Sequence, residues 1–335
     1  MKNALFLGAK FGNGYLQYKA LKTFFDVVDF IEPGAIIKNK FLLKFFQHVS
    51  SKCFNLIIYS FVLSKIKKKK YDLIYVKSGE YLSEKLILEL KKKTRKIVYF
   101  CNDNPFEKRD KKRWDMFLSA SKLYDLIIFQ DKSRIQHAKK LGLKNILLTL
   151  PPYDSKIHKK KKSQKTKKKN EVVFVGTWFF ERGIFFRKLI ELGLDIRIYG
   201  TRWEKDPNFD ILKSRVSLGH LGFNKYSKVI QNSKIAIALY SNENNDSITA
   251  RSLEIPAIGT FLLSKKTSTM TKVFKENKEV VFFQSPQECF EKCNFYIRNT
   301  KKRQIIAKNG YNKVTKHLSV SNEDLIKKII KITFS

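Results

Sequence analysis

The chain has 335 residues and a formal net charge of +38, from 68 Lys and Arg against 30 Asp and Glu. Hydrophobic content of 43% and aromatic content of 13% exclude a chain disordered throughout, and the length predicts two domains rather than one core. The charge favours phosphate-bearing ligands, nucleic acid or anionic lipid, but the lysines are spread along the chain and name no single partner. Cys53, Cys101, Cys289 and Cys293 include no CxxC pair, which excludes a zinc ribbon and predicts reduced, buried thiols in a cytosolic protein. The first residues resemble a strand and a glycine turn, not a secretory leader. The longest strongly apolar uncharged stretch, residues 53–64, is too short to span a bilayer.

In chain order, residues 5–7 predict a strand, followed by a glycine turn (Gly8, Gly12, Gly14) whose spacing is not GxGxxG. Residues 24–31 predict a second strand, broken by Pro33-Gly34. Residues 36–70 are helical in pattern, basic and apolar. They predict helices covering a sheet, with a segment lying on anionic lipid as the other reading. Strands are predicted at 71–76, 96–101, 123–129 and 145–150, with helices between them. Glu80, Asp103 and Asp131 fall just past strand ends, where an open parallel sheet binds ligands; Asp131 also suits a helix cap.

The run KIHKKKKSQKTKKKN, residues 156–170, predicts a solvated linker. A second set of strands follows at 172–175, 195–199, 216–218, 235–240, 261–263 and 280–283. Gly176, Gly200 and Gly219 follow apolar strands and let their loops approach a ligand. His220 is the one histidine beside such a loop; His48, His137, His158 and His317 read as structural. The expected division is an N-terminal domain over 1–155, the linker over 156–170, a C-terminal domain over 171–318 and a closing helix in 319–335.

Strand, polar loop, helix and strand follow one another through residues 235–263, one unit of a parallel sheet. A helix beginning near Thr249 offers free N–H groups and a positive dipole end, which suit phosphate. Ser247 and Thr249 are candidate caps. Arg251 and Glu254, three apart, share a helical face, where a cation can hold a diphosphate and a carboxylate a ribose diol. An ordinary connection with a surface ion pair fits the same residues.

The ordered set FVGTW with ER (174–182), LDIRIYG (194–200), NDSITARSLEIPAIGTFLL (245–263), KEVVFF (278–283) and GYNKV (310–314) resembles the CgeB-like, spore-maturation-protein-like glycosyltransferases. These belong to the wider group-1 glycosyltransferases. YDLIYVKSGEYL (71–82), NDNPF (102–106) and LYDLIIFQD (123–131) look like that family's acceptor-side domain. The resemblance implies a GT-B fold, two Rossmann-like doubly wound parallel-sheet domains facing a central cleft. It also implies a sugar transferred from a nucleotide-diphosphate donor to a glycan, lipid-linked or protein acceptor, as in bacterial surface polysaccharide synthesis. By that similarity Glu254 holds the donor ribose. Thr249 and Arg251 face the diphosphate, with Arg182 approaching it; Gly176 and Thr177 line the same edge, and His220 meets the base.

The wider group's paired acids place their first carboxylate where this chain has Asn245-Asp246, so Asp246 takes that position. The stereochemical outcome stays open. The chain has no Asp-x-Asp pair, which fits a metal-independent transferase without a cofactor. An inverting reaction needs an acceptor-side base, with Asp103 the first candidate and Glu80 the second. The expected setting is cytoplasmic, with an anionic membrane surface as a further partner. A nucleic-acid-binding protein and a non-catalytic glycan-binding protein are the other readings.

Overall fold

The computed structural model describes residues 2–107, 110–160 and 170–334. Two compact units account for the chain: residues 1–150, 242–245 and 322–335 form the first, and residues 151–241 and 246–321 the second.

The first unit runs β1 (Asn3–Leu7), α1 (Gly12–Leu21), β2 (Val27–Ile31), α2 (Lys40–His48), α3 (Asn55–Lys65), β3 (Tyr71–Val76), α4 (Glu84–Lys91), β4 (Thr94–Phe100), α5 (Asp115–Ala120), β5 (Leu126–Phe129), α6 (Lys132–Lys140) and β6 (Ile146–Leu148). The second runs β7 (Asn170–Val175), α7 (Phe180–Glu191), β8 (Ile196–Gly200), α8 (Phe209–Leu212), β9 (Val216–Leu218), α9 (Phe223–Gln231), β10 (Ser233–Ala238), α10 (Ala250–Ile258), β11 (Phe261–Lys265), α11 (Ser268–Val273), β12 (Val281–Phe283), α12 (Pro286–Arg298) and α13 (Thr300–Asn312). The last helix, α14 (Asn322–Phe334), belongs to the first unit.

Each unit holds a six-stranded sheet, in the orders β2-β1-β3-β4-β5-β6 and β12-β11-β10-β7-β8-β9, with every pairing parallel. Helices cover both faces, so the central strands are apolar on both sides rather than alternating. Leu5, Leu7, Ile74 and Val76 enter one core of the first unit. Ala4, Phe6, Leu73 and Tyr75, one residue out of phase, enter the other, where Leu325, Ile326 and Ile329 of α14 join them. The chain reverses direction across the sheet between β1 and β3, and again between β7 and β10. Such switch points open a crevice at the carboxyl ends of the strands.

Several expectations change in the structure. The strand predicted over residues 24–31 begins only at Val27, because the Thr23, Phe24 and Phe25 N–H groups bond back to Ala20 and Leu21 and close α1. Residues 36–70 divide into α2, a single 3-10 turn at Lys52–Phe54, and α3. The stretch predicted as a solvated linker is ordered at its start: Asp154 Oδ1 accepts the Lys156 and Ile157 N–H groups, and Ser227 Oγ donates to the Ile157 carbonyl at 3.0 Å. Residues 161–169 of that run lie outside the described residues. Cys101, Cys289 and Cys293 are buried, but Cys53 is exposed on the turn between α2 and α3; all four are free thiols.

Candidate functional site

At the switch point of the second sheet, two arginines converge on the carboxyl end of β7. Gly176 follows that strand, its N–H donating to the Tyr199 carbonyl and its carbonyl accepting from Trp203 Nε1, both at 2.9 Å. A Cβ on Gly176 would meet the Phe174 ring at 2.7 Å and Arg182 Nη1 at 3.3 Å, so only glycine lets the arginine pack this closely. Arg182, in the first turn of α7, is 8% exposed. Its Nη1 donates to the Thr177 carbonyl at 2.7 Å and its Nη2 to the Leu239 carbonyl at 3.5 Å, tying the ends of β7 and β10 together. The guanidinium lies over Phe179, 4.6 Å from the ring centre. Its Nε–H is buried with no hydrogen-bond partner among the described residues. Burial lowers the Arg182 pKa to about 10, with Glu181 and Asp246 opposing and Arg251 adding to the shift. Asp246 is half-buried, its N–H donating to the Ser241 carbonyl.

Thr249 is the N-cap of α10, with extended backbone, and Gly259 ends the helix in the left-handed region at φ 84°. Tyr240 Oη, 3.1 Å from Ser252 Oγ and 2.6 Å from Ser264 Oγ, pins α10 against the sheet. Arg251 and Glu254 meet on one face of this helix: Arg251 Nη1 donates to Glu254 Oε2, and Arg251 Nε to the Val175 carbonyl at 3.4 Å. The Arg251 guanidinium lies 4.2 Å from the centre of the Tyr226 ring. Its side chain remains 37% exposed while that of Glu254 is 1% exposed, so the arginine sits over the carboxylate.

The other carboxylate oxygen, Oε1, is 3.9 Å from His158 Nε2, whose side chain is 2% exposed. His158 Nδ1 accepts the Asp154 N–H at 3.1 Å, which leaves the neutral ring's proton on Nε2, facing Glu254. Burial alone would raise the Glu254 pKa, but Arg251 and His158 hold it below the ordinary value. Burial lowers that of His158, with Glu254 opposing.

At the switch point of the first sheet lies a cavity of about 480 Å³, lined among others by Lys77, Glu80, Tyr81, Asp103, Arg113 and Trp114. Arg113 Nη2 donates to Glu80 Oε1 at 2.6 Å, and its Nη1 lies 3.8 Å from Asp103 Oδ2. Glu80 is 8% exposed at its side chain and Asp103 36%, so the first is clamped by Arg113 and the second opens more widely to the cavity. Lys77 Nζ donates to Asn102 Oδ1 at 2.6 Å and sits 3.7 Å from the centre of the Phe100 ring. Desolvation drives its pKa well down, with Cys101, Asp103 and Glu80 opposing. Asp131 is not part of this cavity lining; its Oδ1 accepts the Ser133 N–H at 3.0 Å and caps α6.

Residues 182–323 match the family described as glycosyl transferase-like. The matched segment is thus glycosyl transferase-like. The fold of the whole chain is that of GT-B proteins. Sucrose-phosphate synthase from Thermosynechococcus elongatus superposes with a TM-score of 0.70 at 10% identity, covering 100% of this chain and 99% of that one. HepE from Anabaena, in complex with UDP and glucose, gives 0.68 at 14% identity over 98% of this chain and 99% of its own. The apo structure of OtsA gives 0.66 at 12% identity, over 100% and 99%. No curated protein matches the chain by sequence.

Sequence reasoning missed four residues of these two clusters. His158 reads as structural in the sequence, yet it closes the Glu254 side of the α10 cluster. Tyr226 stacks under Arg251. Lys77 and Arg113 supply the cations of the first cavity. The common signal was weak: His158, Arg113 and Tyr226 lie outside the recognised motifs, and Lys77, inside YDLIYVKSGEYL, is marked only by its short chain distance from Glu80. His220 is exposed, just beyond Gly219. Among the described residues no group of three His, Cys, Asp or Glu side chains is arranged to hold a metal ion, and no helix is long and apolar enough to cross a membrane.

Proposed function

We propose that the chain is a glycosyltransferase that moves a sugar from a nucleotide-diphosphate donor to a glycan, lipid-linked or protein acceptor in the cytoplasm, as in surface polysaccharide synthesis. The observation that carries the donor reading is Arg182, a buried guanidinium that satisfies two carbonyls and leaves Nε–H unpartnered at a sheet switch point. An incoming diphosphate oxygen satisfies such a group, and Arg251 with the α10 N-terminus adds positive charge beside it. HepE, of the same fold, is known with UDP and with UDP-glucose bound, which supports a nucleotide sugar as the donor class.

In this reading the leaving diphosphate gains negative charge as the glycosidic bond breaks, and Arg182 and Arg251 stabilise it without a metal ion. Donor binding draws Arg251 off Glu254 toward the phosphates, which frees the carboxylate for the ribose diol. Thr249, Gly176 and Thr177 line the phosphate edge, Asp246 faces the donor sugar and His220 the base. If the reaction inverts, Asp103 takes the proton from the acceptor hydroxyl, because Glu80 is committed to Arg113.

Thermal-shift titration with UDP, GDP, ADP, CMP and their sugars tests this, since a ligand bound only by the folded state raises Tm. A rise for one nucleotide family, followed by transfer or hydrolysis of its sugar, is the expected result. Binding without turnover would favour a glycan-binding protein, and no shift with any nucleotide would remove the donor reading.

A further inference from the structure

We propose that the outer face of α2, continued by the first turn of α3, docks the protein on an anionic lipid bilayer. The inner side of these helices is already occupied. Phe46 packs on Tyr81 and Phe54, with ring centres 4.9 and 5.7 Å apart, and Ile58 and Val62 lie in the core. A second apolar face is left outside: Phe41 is 74% exposed, Val49 57%, Leu56 68% and Ile57 55%. At about 100° per residue, Phe41, Leu42 and Val49 fall in a stripe within about 100° of arc on α2 and its C-cap, with Phe45, half-buried against Phe54, between them. Asn39 fixes where that stripe starts, its side chain accepting the Phe41 N–H at 2.7 Å.

Charge identifies what covers this face. Between Pro33 and Tyr71 the sequence holds nine lysines and no aspartate or glutamate. Lys40 and Lys44 flank the apolar stripe on the side away from Phe46. A second copy would bring lysine against lysine, whereas an anionic bilayer takes both features. Its headgroups pair with the ammonium groups while the apolar tips enter the acyl boundary.

The same helix serves the first unit's cavity from its other side. Leu43 and Gln47 line that cavity beside Asp103. The docking face therefore lies back to back with the proposed acceptor site, which selects a lipid-linked acceptor among the three classes. That selection rests on the transferase reading; the docking itself does not.

Sedimentation of the full chain with vesicles tests the proposal, using phosphatidylcholine alone and phosphatidylcholine mixed with phosphatidylglycerol. The wild type is expected to sediment with the mixed vesicles and weakly with the neutral ones. F41S/L42S/V49S is expected to lose about tenfold or more of that binding while keeping its Tm and its nucleotide affinity. K40Q/K44Q is expected to lose the preference for phosphatidylglycerol. Equal sedimentation of F41S/L42S/V49S and wild type would overturn the proposal. So would a wild type that ignores both vesicles, or one that forms a dimer which F41S/L42S/V49S abolishes. Nucleotide titration of the same variants separates this outcome from failure of the donor reading, since the substituted residues belong to the first unit and the α10 cluster to the second.

Discussion

Glu254 Oε1 lies 3.9 Å from His158 Nε2, and both side chains are almost wholly buried. The pair gives acid sensitivity a definite sign. Burial depresses the His158 pKa below its ordinary 6.5, so the unfolded chain binds the extra proton first and His158 favours the folded state above about pH 6.5, losing that contribution as pH falls. Glu254 is depressed too, so its contribution is present above its ordinary 4.5 and is lost at still lower pH. The Tm of the wild type is expected to fall in two stages on acidification. In His158→Gln the upper stage is expected to vanish while the lower one remains, as measured by thermal unfolding across pH.

Removing Glu254 leaves a partly buried guanidinium without its carboxylate. Breaking a fully buried pair costs roughly 3–5 kcal/mol; Arg251 retains solvent contact, which reduces the expected loss for Glu254→Ala to about 2 kcal/mol. Glu254→Ala/Arg251→Ala is expected to recover part of this, because no lone charge remains. Chemical denaturation of the two variants measures the difference.

Arg182→Met keeps most of the packing volume against Phe179 and removes the donors. The Thr177 and Leu239 carbonyls lose their partner, which predicts about 1–3 kcal/mol of lost stability. Affinity for the donor nucleotide is expected to fall about tenfold or more, since a charge-assisted contact is lost as well. Unfolding and nucleotide titration on one preparation read both.

The two acceptor-side carboxylates are expected to separate in kinetics. Asp103→Asn is expected to lower kcat about 10²–10⁴-fold with nucleotide affinity unchanged, the range for loss of a positioned base. Glu80→Gln is expected to act through Arg113, which it releases, and so to lower Tm first. Equal kcat in Asp103→Asn and wild type would fit a retaining reaction with no acceptor-side base.

What was legible in the sequence follows from what repeats along it. Central strands such as Leu73–Val76 are apolar on both faces, so they stand out as runs, and the polar residues just past them mark the ligand edge. Arg251 and Glu254 were legible as a pair because helical spacing puts them on one face. The burial of Glu254 was not legible, because it depends on Tyr226 and His158 arriving from other elements. His158 was the hardest case: it borders a lysine run, and nothing local shows that Asp154 and Ser227 fold that stretch down. The exposed stripe on α2 was ambiguous for a similar reason. Helical periodicity marks an apolar face, but which face the core takes is decided by Phe46 meeting Tyr81.

The central claim is that the cluster around Arg182, Arg251 and Glu254 grips a nucleoside diphosphate, and calorimetric titration tests it most directly. One nucleoside diphosphate is expected to bind the wild type, with affinity about tenfold or more weaker in both Arg182→Met and Arg251→Ala. Unchanged affinity in both variants, or no binding of any nucleoside diphosphate to a folded wild type, would contradict it.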